Sequence, residues 1–210
     1  MNCLWISGWA VPPAWFADQA RACWPADAHI AVAPHEAADA LVNASFDALG
    51  AYSLGTLWLL RHAHLVPAYL PVFLFAPIFA FPAETNLGGK IPRAQLRAQR
   101  RHLRRDAPAA LLEFAQLSGL AALNIPTPPD EFSPAHLAAL DTGLGWLEDW
   151  SAQPPPPIHW RGWIGEADTL LDASCLRALW SAIRVVPGAG HAPGPLLQAA
   201  RAEFPSLVVE

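Results

Sequence analysis

Only three cysteines, Cys3, Cys23 and Cys175, stand among 210 residues, at spacings that make neither a paired disulfide framework nor a metal motif. That excludes a disulfide-stapled scaffold, and reduced thiols are expected. The chain also lacks a glycine-rich phosphate loop, a dinucleotide fingerprint and a zinc motif, so neither cofactor nor metal is expected. No apolar run suits a membrane span. The longest covers 65–81 and is broken by Pro67, Pro71 and Pro77, which predicts a buried strand at Val72-Phe73-Leu74-Phe75 and then a pocket-lining loop. The opening Met1-Asn2-Cys3-Leu4-Trp5-Ile6-Ser7-Gly8 has no basic stretch of the kind that begins a secretion signal, and a cytoplasmic location is expected. Charge is scarce as well, at 15%, against 53% hydrophobic residues. That composition supplies a large core, enough for one domain with an inserted subdomain. Ten tryptophans fit either aromatic lining of a pocket or structural packing.

What is present centres on Gly50-Ala51-Tyr52-Ser53-Leu54-Gly55-Thr56-Leu57. The apolar lead-in Phe46-Asp47-Ala48-Leu49 precedes it, and an apolar helical run follows to about His64. Strand, small-x-Ser-x-Gly, then helix is the pattern of a nucleophile elbow. The turn must be sharp enough to raise the serine hydroxyl clear of a sheet, and small residues two before and two after let strand and helix pass closely. Here they are Ala51 and Gly55, with Ala51 standing where Gly is usual. A serine hydroxyl needs a neighbouring base, and the base needs an orienting acid. Downstream come Gly165-Glu166-Ala167-Asp168 and then Gly188-Ala189-Gly190-His191-Ala192-Pro193, each in a turn after a strand-like stretch. Asp168 is favoured as the acid over Asp172, which falls in the following helix, and over Glu166. His62 and His64 have no partner at a telling spacing and read as surface or packing residues.

The rest of the chain alternates. Strands are expected at 4–6, 30–32, 72–75, 158–163 and 183–186, with helices at 13–23, 173–180 and 195–203. Between 82 and 150 the alternation stops. Leu96, Arg100, Leu103 and Ala107 repeat at helical spacing, as do Leu111, Leu112, Ala115 and Leu117. A proline-rich break at 124–134 and a helix at 134–150 follow, and Pro154 to Pro157 make a stiff return linker.

These motifs resemble the α/β-hydrolases, and more narrowly the pimeloyl-[acyl-carrier-protein] methyl ester carboxylesterases of biotin synthesis. The resemblance rests on Ser7-Gly8-Trp9, Tyr52-Ser53-Leu54-Gly55, Ala76-Pro77-Ile78-Phe79 and His191-Ala192-Pro193, with Ser7 where the family has His. It implies a mostly parallel sheet with helices on both faces, formed by 1–81 and 152–210, and an inserted helical cap at 82–151. Ser53 would be nucleophile, His191 base and acid, and Asp168 its orienter. The backbone N–H groups of Trp9 and Leu54 would form the oxyanion hole. Trp9, Phe79, Phe114, Ala115, Gln116, Leu117 and Ser118 would line the substrate site. The chain is expected to be a monomeric serine hydrolase.

Charge placement is the second signal. Lys90, Arg93, Arg97, Arg100, Arg101, Arg104 and Arg105 lie within 16 positions without an acidic residue, leaving 6 basic and 18 acidic residues elsewhere, a formal −12. Arg93, Arg97, Arg100, Arg101 and Arg104 share one helical face, where like charges repel. A solvated face is one reading. The other is a docking surface for an acidic acyl carrier protein, since arginine's planar fork suits carboxylate and phosphate. No nucleic-acid-binding fold accompanies the patch, so nucleic acid is not expected as partner.

Overall fold

The structure, a computed structural model, describes residues 1–127 and 132–207; part of the expected proline-rich break therefore lies outside the described residues. The chain runs β1 (Asn2–Ile6), α1 (Pro13–Cys23), β2 (Ala28–Val32), α2 (Ala37–Asn43), β3 (Ala48–Tyr52), α3 (Leu54–Arg61), β4 (Val72–Phe75), β5 (Ala80–Pro82) and β6 (Gly88–Ile91). It continues through α4 (Arg93–Arg105), α5 (Ala107–Leu117), α6 (Pro134–Asp149), β7 (Arg161–Gly165), α7 (Ala173–Leu179), β8 (Arg184–Val186) and α8 (Pro193–Glu203). The strand β3 begins two residues after the expected lead-in, because Asp47 is taken up in closing the edge, its carboxylate accepting from the Asn2 N–H. The elbow helix stops at Arg61, short of His64, and a 3-10 turn follows at Ala63–Leu65.

Six strands form one parallel sheet in the order β2-β1-β3-β4-β7-β8. Successive side chains on a strand point to opposite faces. Every residue of β3 and β4 is buried, so both faces of the sheet are covered, which is why these strands read as continuous apolar runs. One face is aromatic. Trp163 stacks on Phe75 at 5.3 Å and on Phe73 at 6.1 Å, Phe204 meets Phe73 edge-on, and Trp5 stacks on Trp24. Such pairs add about 0.5–1.5 kcal/mol each beyond their buried area. Most of the tryptophan is therefore structural: Trp5, Trp24, Trp58, Trp160, Trp163 and Trp180 are buried in the core.

Three elements escaped the sequence reading. The seven-residue α2, which buries only Ala37, is too short a pattern to see. The short β5 and β6 form a separate parallel pair, hidden by Pro82 and the glycines at 88 and 89. The strand β6 lies in the stretch assigned to the cap, yet it is bonded to the later core: Lys90 N–H donates to Leu170 O, and Asp172 N–H to Gly88 O.

Between β6 and β7 lie the three long helices. Asp106 caps α5 by accepting the Ala109 N–H, and Ser133 caps α6 by accepting the His136 N–H, each followed by a proline in the first turn. Helix α4 buries Leu96 and Leu103 and packs on α6. Its arginines do not stand free. Arg97 pairs with Glu148 at 2.6 Å, Arg100 with both Glu148 and Asp141, Arg104 with Asp141 at 2.8 Å, and Arg93 with Asp149. The like charges of one helix are thus interleaved with acids of its neighbour. Arg97 and Arg104 are seven residues apart, as are Asp141 and Glu148, so two antiparallel helices meet rung to rung. Among the described residues, Arg101 and Arg105 have no ion pair and are exposed.

Both acids are held below their ordinary values of 4.5 and 3.8. For Glu148 the Arg97 hydrogen bond is the main cause, working against burial. For Asp141 burial pushes upward, and the hydrogen bonds from Arg104 and Arg100 outweigh it. A lowered folded-state value means that the stability contributed is complete above about pH 4.5 and is lost as pH falls through the lowered values. Amide exchange of α4 and α6 should therefore quicken on acidification below pH 4 before the sheet opens. Glu148→Gln should remove most of that pH step and cost about 1–2 kcal/mol in urea unfolding; an unchanged pH profile would exclude the ladder as its origin.

Candidate active site

The site is built where three loops leave the C-terminal edge of the parallel sheet, the position at which side chains project beyond the strands. Ser53 follows β3, Asp168 follows β7, and His191 follows β8. His191 Nε2 lies 2.9 Å from Ser53 Oγ, and His191 Nδ1 lies 2.7 Å from Asp168 Oδ2. All three are buried, with Ser53 at 6% exposure, His191 at 2% and Asp168 at 1%.

Ser53 adopts φ 51° and ψ −119°, a backbone region that costs a non-glycine residue about 1–3 kcal/mol. Its N–H donates to Phe75 O, and its carbonyl accepts both the Thr56 N–H and the Thr56 hydroxyl. Thr56 Oγ1 in turn accepts the Ile78 N–H, tying the Ala76-Pro77-Ile78-Phe79 stretch to the elbow. Gly55 is required by close approach: a Cβ there would stand 2.4 Å from Ile6 O and 2.6 Å from Ser7 O. Ala51 causes no such conflict, which is why the elbow accepts a methyl two residues before the serine; it is a fully buried β3 residue opposite Ile6 and Leu74.

The first loop lies against the elbow. A Cβ on Gly8 would meet Tyr52 Cδ1 at 2.9 Å and Ser53 Cβ at 3.2 Å, so only glycine lets the Gly8–Trp9 backbone come this near. Leu54 is the first residue of α3, where backbone N–H groups have no intrahelical acceptor. The Trp9 side chain is buried, donating from Nε1 to Leu140 O at 2.8 Å and meeting Phe114 edge-on at 4.6 Å.

Of the three acids weighed, the structure brings Asp168 to the histidine. Its Oδ1 accepts the N–H groups of Leu170 and Leu171, which leaves Oδ2 for His191. Asp172 caps α7, accepting from Ser174 and Cys175, and Glu166 accepts the Gly188 N–H and braces the histidine loop. Sequence reasoning missed Tyr52, whose hydroxyl donates to His191 O at 3.0 Å. Its position beside Ser53 was the available signal.

The expected lining residues divide. Phe114 and Ala115 line an apolar cavity of about 300 Å³ with Ala10, Leu111, Leu120 and Ile125. Trp9 and Leu54 line a second cavity of about 420 Å³ that reaches His35, His136 and Trp146. Ala10, Pro12 and Leu111 border both. The other expected residues line neither of these cavities. Phe79 is a core residue, fully buried with its ring edge-on to Trp180. The Ser118 hydroxyl turns back to Phe114 O at the end of α5, the usual recourse of a serine at a helix terminus. Gln116 and Leu117 are exposed, and the Leu117 carbonyl accepts the Thr169 hydroxyl. Of the proposed docking arginines, Arg93, Arg97, Arg100 and Arg104 are engaged with α6, so their spacing is explained within the chain.

No family model and no curated protein matches the sequence. Solved structures do match the fold. An esterase from Exiguobacterium antarcticum superposes with TM-score 0.75 at 10% identity, over 98% of this chain and 92% of that one. BioG from Haemophilus influenzae gives 0.57 at 19% identity, over 90% of this chain and 88% of that one. The RedJ thioesterase of the prodiginine pathway in Streptomyces coelicolor gives 0.60 at 18% identity, over 97% and 90%. At these identities the likeness is one of fold. No helix among the described residues is long and apolar enough to cross a membrane.

Gly55→Ala should cost about 1–3 kcal/mol, because the added methyl meets backbone that cannot rotate away. A urea midpoint equal to that of the wild type would refute the close-packed elbow.

Proposed function

We propose that this chain, which has the α/β-hydrolase fold, is a serine carboxylesterase. The observation that carries the reading is the hydrogen-bonded line from Ser53 Oγ through His191 to Asp168 on a strained elbow. In this mechanism Ser53 Oγ attacks the ester carbonyl while His191 Nε2 takes its proton. The tetrahedral oxyanion is stabilised by the N–H groups of Trp9 and Leu54. The alcohol leaves with the proton from His191. Water then attacks the acyl-serine, with His191 again as base, and the free carboxylate departs. Asp168 holds the imidazole in the tautomer that can accept at Nε2.

The finer part of the proposal is the substrate: the methyl ester of pimeloyl-acyl-carrier protein, released as methanol and free carboxylate, in a cytoplasmic monomer without cofactor or metal. It is supported by the sequence resemblance at the elbow, first loop and histidine turn, and by BioG among the structural neighbours. Docking of an acidic carrier would fall to Arg101 and Arg105, with the outer edges of Arg97 and Arg104 beside them. One observation favours a second reading, an esterase for free small molecules. Most of the arginine charge is matched by Asp141, Glu148 and Asp149, which leaves less for a partner.

Wild-type protein should label with a fluorophosphonate and hydrolyse p-nitrophenyl esters, and Ser53→Ala should lose about 10³-fold or more in kcat without a change in melting temperature. Retained turnover would refute the nucleophile. Asp168→Asn should cost roughly 10³–10⁴-fold at a similar KM. Growth of a biotin auxotroph lacking its methyl esterase on the wild-type gene, and not on Ser53→Ala, is the outcome expected for the carrier substrate. Arg101→Glu with Arg105→Glu should slow carrier-linked ester hydrolysis at low salt and spare small esters; equal rates on both substrates would favour the second reading.

A further inference from the structure

Lys90 is the chain's one lysine. By sequence it belongs to the arginine cluster, but the structure separates it from the ladder. It sits on β6, and its Nζ donates to the backbone carbonyl of Asp168 at 2.6 Å. The main chain of β6 is bonded to the same loop just after this contact. Lys90 N–H donates to Leu170 O, Asp172 N–H donates to Gly88 O, and Gly89 bridges to Leu171. From the opposite direction the Thr169 hydroxyl reaches Leu117 O at the end of α5. The loop from 168 to 172 is thus held between a strand that leads into α4 and the last turn of α5.

This matters because of how Asp168 is oriented. One carboxylate oxygen is fixed by the N–H groups of Leu170 and Leu171, and the other points at His191. The side chain has only two torsions, so once Oδ1 is fixed, the direction of Oδ2 follows the backbone at residue 168. The ammonium of Lys90 donates to the carbonyl of that peptide plane. A charged donor to a carbonyl is among the stronger single hydrogen bonds.

We propose that Lys90 is a positioning residue of the triad. It acts through the backbone of Asp168, and it joins the root of the helical insertion to the acid that orients His191. The part of this that concerns turnover rests on the esterase reading; the part that concerns His191 does not.

Lys90→Met keeps the aliphatic stem and removes the donor. Its kcat on p-nitrophenyl esters should fall about tenfold with KM within about twofold, the size expected of a displaced orienting group. Lys90→Arg should restore most of the loss. The downfield imidazole N–H resonance between His191 and Asp168 should shift or broaden in Lys90→Met and return in Lys90→Arg. Acetylating the folded wild type, whose only amines are Lys90 and the N-terminus, should reproduce the loss, while the same treatment of Lys90→Met should add nothing further. A Lys90→Met protein with wild-type kcat and an unmoved His191 resonance would overturn the proposal. If the wild type proved unable to turn over any ester, the esterase reading would fail. The resonance would then decide for or against Lys90 by itself.

Discussion

The backbone of Ser53 is the point on which the rest of the molecule turns. At φ 51° the residue sits where an L-amino acid resists being placed. What holds it is distributed. Phe75 supplies a carbonyl to its N–H, Thr56 supplies two donors to its own carbonyl, and the absence of a side chain at Gly55 lets α3 pass directly over the end of β1. Behind these contacts lie the parallel register of β1, β3 and β4 and the aromatic packing on one sheet face. The cost of one strained residue, a few kcal/mol at most, is carried by a core that could not relax it without moving three strands.

Much of this was readable beforehand, because tight constraints leave marks on sequence. The elbow needs a small residue at 55, the acid and base must come in order from later strands, and the sheet needs unbroken apolar runs. Ser53, Asp168 and His191 therefore stood out, as did β4, α1 and the helical stretch at 93–149. The less visible parts depend on backbone groups or on distant partners. Phe79 and Ser118 were expected as lining from the family resemblance alone; one is packed in the core and the other bonds back at a helix end. Nothing in the spelling of Lys90 says that its target is a carbonyl 78 positions away.

The arginine cluster shows a different limit. Its helical spacing was clear, but repulsion within one helix says only that counter-charge must come from somewhere. Asp141 and Glu148 carry the same interval as Arg97 and Arg104, and matching the two intervals would have shown that the chain provides its own counter-charge. Among the described arginines of α4, only Arg101 and Arg105 are left without an acid of α6.

The equal intervals have a mechanical consequence. Two helices joined by rungs seven residues apart are keyed to one another like the bittings of a lock. A slip of α4 by four residues would set either Leu96 at the place of Arg100 or Pro108 at the place of Arg104, and in both cases leave Asp141 with one arginine instead of two. The ladder therefore fixes the axial register of the helical layer, independently of how well Leu96 and Leu103 happen to fit.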